Sequence, residues 1–171
     1  MYKRLFFVVA AAGAFACAQS ALAVDPSFRA DRKITGEYFR PHTAGAYYQG
    51  AINHAETLGY YGRSYSVIPA ETVQEHATEI DRNLSAASDE FSKLAQETAG
   101  NEQVDAHLQT IQQHHADAAE LSKKLLDPSA DAQTIADHCH AIARSLKAAD
   151  AENEKLKQTL GVRETPVRQA D

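Results

Sequence analysis

"VQEHATEIDRNLSAASDEFSKL" (residues 73–94) decides the fold. Its apolar residues Val73, Ala77, Ile80, Leu84, Ala87, Phe91 and Leu94 recur at alternating steps of four and three. That is the seam of an amphipathic helix, with polar residues on the other face. Pro69 precedes the segment and suits a first helical turn, where a missing N–H costs nothing. Glu71 and Glu75 suit the positive end of the helix dipole. Gly100 is a good stop.

The same period recurs on either side. Upstream, residues about 43–65 give a seam of Tyr47, Ala51, His54, Leu58, Tyr61 and Tyr65, interrupted by Gly45, Gly50, Gly59 and Gly62. Each glycine costs roughly 1 kcal/mol relative to Ala in a helix. Downstream, residues about 101–126 give Val104, Leu108, Ile111, His115, Ala118, Leu121 or Ser122, and Leu125. Asp127-Pro128-Ser129 ends that helix and is expected to cap the next. Residues about 130–160 give Ile135, Cys139, Ile142, Leu146, Ala149, Asn153, Leu156 and Leu160, with Gly161 as the stop. Four such helices joined by short links predict an all-α, antiparallel up-down-up-down four-helix bundle over residues 43–161.

The ends read differently. Residues 1–23, "MYKRLFFVVAAAGAFACAQSALA", combine Lys3 and Arg4, an apolar run and a small-x-small terminus at Ala21–Ala23. This is the pattern of a cleaved signal peptide, too short for a lasting membrane span. Lipidation at Cys17 is the alternative, although Ala14 stands where a lipobox has Leu. Residues 24–42 show no period and contain two prolines, so an irregular N-terminal arm is expected; residues 162–171 read as a flexible tail. The expected location is therefore periplasmic or extracellular.

Loss of residues 1–23 moves the formal charge from −6 to −8. An acidic surface repels nucleic acid and anionic lipid. Of the two cysteines, Cys17 leaves with the leader. Cys139 then stands alone in an oxidising compartment, without an internal disulfide.

The chemistry rests on eight histidines. His54 and His115 break apolar seams, Cys139 occupies one, and His76 and His138 flank them. Counted from the links at one bundle end, His54, His115 and Cys139 each lie about 15–17 Å deep, and His76 about 10 Å, at 1.5 Å per residue. Imidazole and thiolate from facing helices suit a transition metal. His54, His76, His115 and Cys139, with His138 as substitute or neighbour, are thus the expected ligands of copper or zinc. Such a site would serve storage, buffering or delivery rather than turnover.

The competing expectation is a periplasmic interaction or stress-response module whose histidines are satisfied by hydrogen bonds, with first-helix tyrosines as partners. Non-covalent haem on His54 or His115 is a weaker third. The chain lacks Cys-x-x-Cys-His, which excludes covalent haem, and paired Glu-x-x-His, which argues against a di-iron carboxylate centre. No Gly-rich phosphate loop and no nucleophile elbow is present.

Overall fold

The computed structural model describes residues 36–162, with side chains from Phe39 onward. Four long helices make up this region: α1 Gly36–Ser64, α2 Ala70–Glu97, α3 Glu102–Lys124 and α4 Ala132–Thr159. They pack together, and no strand occurs among the described residues. α1 packs on α2 and α4, and α3 packs on α4 and more thinly on α2. α1 and α3 therefore lie across the interior from each other, as do α2 and α4. The expected leader and most of the expected N-terminal arm fall outside the described residues, as does nearly all of the expected C-terminal tail.

α2 buries every seam residue anticipated from its period, from Val73 to Leu94. Pro69 stands just outside, at the N-cap position, and supplies no side-chain cap. α3 starts at Asn101, whose side chain accepts a hydrogen bond from the Val104 N–H. α4 is capped by Asp131, which accepts from the Thr134 N–H at 2.7 Å. This corrects the expectation that the Asp127–Ser129 turn would cap it. Asp127 instead accepts from the Ser129 N–H and hydroxyl, closing its own turn. Gly100 and Gly161 adopt φ of 89° and 68°, the left-handed conformation that ends a helix cheaply only in glycine.

α1 departs most from expectation. It begins at Gly36, inside the stretch anticipated as an irregular arm, and runs through Pro41. Its buried residues are Pro41, Ala44, Tyr48, Ala51, Ile52, Ala55 and Leu58, with Gly45, Gly59 and Gly62. Tyr47 is 36% exposed and Tyr65 59% exposed, so neither belongs to the seam. The reason is close contact with α4. A Cβ on Gly62 would lie 2.5 Å from the Ala132 carbonyl oxygen, and one on Gly59 would lie 3.2 Å from the Cys139 Cβ. Small residues make that interface and turn the larger tyrosines outward.

Polar contacts fix the helix ends. Arg40 at the start of α1 donates to both Glu97 oxygens, at 2.9 and 2.6 Å, and to Glu90 at 3.0 Å. Buried Asn153 on α4 donates to the Pro41 carbonyl at 2.9 Å, while its own oxygen has no hydrogen-bond partner among the described residues.

Candidate metal-binding histidine pair

His54 and His76 meet across the α1–α2 interface with their Nδ1 atoms 3.2 Å apart. Both are half-buried, and their rings meet edge to face with centroids 5.3 Å apart. The edge of Tyr61 closes one side of His76, at a centroid distance of 6.0 Å. Burial, and then the neighbouring His54, hold the His76 pKa below the ordinary imidazole range. A neutral ring results, which is the form that binds metal.

The spacing has chemical meaning. With metal–nitrogen bonds of about 2.0–2.1 Å, two donors 3.2 Å apart subtend about 100° at the ion, near the tetrahedral angle. Without an ion, one Nδ1–H donates to the other Nδ1. To bind, both rings must carry their proton on Nε2 and turn both Nδ1 lone pairs toward one point. Two further coordination positions would be left for water or an exchangeable ligand.

The other expected ligands do not join this pair. His115 on α3 shares a 3.3 Å hydrogen bond between its Nδ1 and the Tyr48 hydroxyl, and burial lowers its pKa. Tyr48 is fully buried, stacks tilted against Phe91, and burial raises its own pKa. Cys139 is buried against Gly59, and burial pushes its thiol up to about 12. His138 beside it is half-buried and makes no hydrogen bond among the described residues. No group of three or more metal-capable side chains converges among the described residues.

Geometry explains the separation. His54 and Gly59 are five residues apart, which is about 140° around the α1 axis at 3.6 residues per turn. α1 thus turns His54 toward α2 and the Cys139 contact toward α4. Similar depth along the bundle does not bring side chains together when they face different interfaces.

Two groups escaped the sequence reading. Tyr48, one position from the expected seam residue Tyr47, is the partner of His115. His107 is held by Glu152 through Nδ1 at 2.6 Å and by the Thr159 hydroxyl through Nε2 at 3.0 Å. The signal for Tyr48 was its place three residues before Ala51 and seven before Ala55; His107 and Glu152 carry no mutual signal in sequence. Comparison with protein-family models, with curated proteins and with solved structures finds no match.

Proposed function

We propose that this protein is an exported up-down-up-down helical bundle that binds a copper or zinc ion through His54 and His76, for storage, buffering or delivery. The observation carrying this reading is the 3.2 Å Nδ1–Nδ1 approach of two half-buried histidines from different helices. Two protein donors and two open positions suit an ion that must be handed on, since ligand exchange needs a vacant or water-filled position. Export is supported by residues 1–23. The up-down order is supported by the pairs Arg40–Glu97, Tyr48–Phe91 and His54–His76, in which α1 residues rise as their α2 partners fall.

The test is metal content of the purified protein by mass spectrometry after loading with Cu or Zn. About one ion per chain is expected. It should be lost in His54→Ala and in His76→Ala, and kept in His115→Ala and Cys139→Ala. Retention in both of the first two variants would sink the proposal.

A second reading has its own support: a non-metal interaction module with satisfied histidines. His115 has Tyr48, and His107 has Glu152 and Thr159. Tyr60, Tyr65, Val67 and Leu126 remain more than half exposed and could meet a protein partner.

A further inference from the structure

A cleft of about 270 Å³ opens between α1 and α4, on the side of α1 away from the histidine pair. Gly59 and Cys139 line its inner side, and Arg63, Arg144, Lys147 and Glu56 line it further out. The residues follow helix faces. His140, Arg144 and Lys147 on α4 are spaced four and three apart, and Gly59 and Arg63 on α1 are four apart, so each set projects to one side. Gly59 brings the two helices close at this point, because any Cβ there would press on Cys139.

The charges of this cleft oppose those of the chain. The protein carries a formal −6, yet three permanent cations converge here. Lys147 is neutralised by Glu56 at 2.6 Å. Arg63 and Arg144 make no hydrogen bond or ion pair among the described residues. The neighbouring thiol stays protonated and adds no negative charge.

We infer that the α1–α4 cleft is a binding site for a small anion bearing carboxylate or phosphate groups, held by the guanidinium groups of Arg63 and Arg144. Guanidinium forks match both oxyanions in bidentate geometry. The volume suits an anion the size of inorganic phosphate or a short dicarboxylate, since a water's share of liquid is about 30 Å³. The site is separate from the histidine pair and does not depend on any metal.

The test is calorimetric titration of the full chain at constant ionic strength, with inorganic phosphate in one arm and succinate in the other. Saturable binding of at least one, at one site per chain and a Kd of about 1 mM or tighter, is expected. Arg63→Gln and Arg144→Gln should each weaken it about tenfold or more, and Arg144→Lys less. His54→Ala should bind like the parent, which separates this site from the metal reading. The preferred arm identifies the oxyanion. Both arginines are exposed, so circular dichroism should show folded variants. Absence of saturable binding in both arms, or binding undiminished in both glutamine variants, would overturn the inference.

Discussion

The Nδ1 atoms of His54 and His76 are 3.2 Å apart, so the two rings share a single bridging proton. A first added proton still leaves one donor and one acceptor. A second would set two N–H groups against each other. Metal and proton therefore compete for the same point between the rings.

That competition sets a pH dependence. The His76 pKa is lowered by burial and by His54, so His76 is available as a ligand at neutral pH. Affinity for Cu or Zn should hold through neutral pH and be lost only as pH falls below the ordinary imidazole value toward the lowered His76 value. Metal competition titrations at several pH values would check this. In the metal-free protein, His54→Ala should move the His76 pKa upward toward its ordinary value, as read by NMR.

The Tyr48–His115 contact makes a prediction about stability. Tyr48→Phe keeps the ring against Phe91 but removes the hydroxyl from His115. A half-buried imidazole loses its partner, at about 1–2 kcal/mol in chemical denaturation.

His115 also has a pH signature of its own. Its folded pKa is lowered by burial, so between the folded value and about 6.5 the unfolded chain binds the extra proton. Stability is full above about pH 6.5 and declines as pH falls toward the folded value. Denaturant midpoints should show this decline, and His115→Phe should flatten it.

Two glycine substitutions on α1 should have opposite outcomes. A Cβ at Gly62 meets backbone, the Ala132 carbonyl at 2.5 Å, and Ala136 beside it. Gly62→Ala should destabilise by about 1–3 kcal/mol by forcing α1 from α4. At Gly50 the obstacle is the end of the Asn83 side chain at 2.7 Å, which can rotate away. Gly50→Ala should be neutral or stabilising by up to about 1 kcal/mol, from helix propensity. Thermal melts of the two variants decide the matter.

Cys139 should behave as an inert core residue. With the thiol buried and pushed up to about 12, almost no thiolate exists at neutral pH. Its modification by a disulfide reagent should be slow in native buffer and rise steeply in denaturant. Fast native modification would contradict the packing against Gly59.

The helices were legible wherever burial is carried by large apolar side chains. α2 shows this best: Val73, Ile80, Leu84, Phe91 and Leu94 mark a face that nothing else competes for. In α1, bulk and burial do not coincide. Tyr47 and Tyr65 looked like seam residues, but the contact with α4 is made by Gly45, Gly59 and Gly62, which carry no hydrophobic signal. The start of α1 was hidden by Pro41, whose carbonyl accepts from Asn153, 112 residues away. Counting residues sets His54 level with His115 and Cys139 and His76 about a turn nearer the bundle end, yet the pair that meets is His54 and His76. Direction around each axis was not readable by counting, because it depends on which neighbour each face packs against. His115 and Cys139 face other neighbours.

The thin packing between α2 and α3 gives Tyr48 a role as a strut. It reaches from α1 to stack on Phe91 of α2 and to bond His115 of α3, two helices that otherwise hold each other weakly. Ser122 donating to Asp81 is a second tie between them. Local opening of this bundle should therefore begin along the α2–α3 edge. There, amide exchange would outpace that of the tightly apposed α1 and α4.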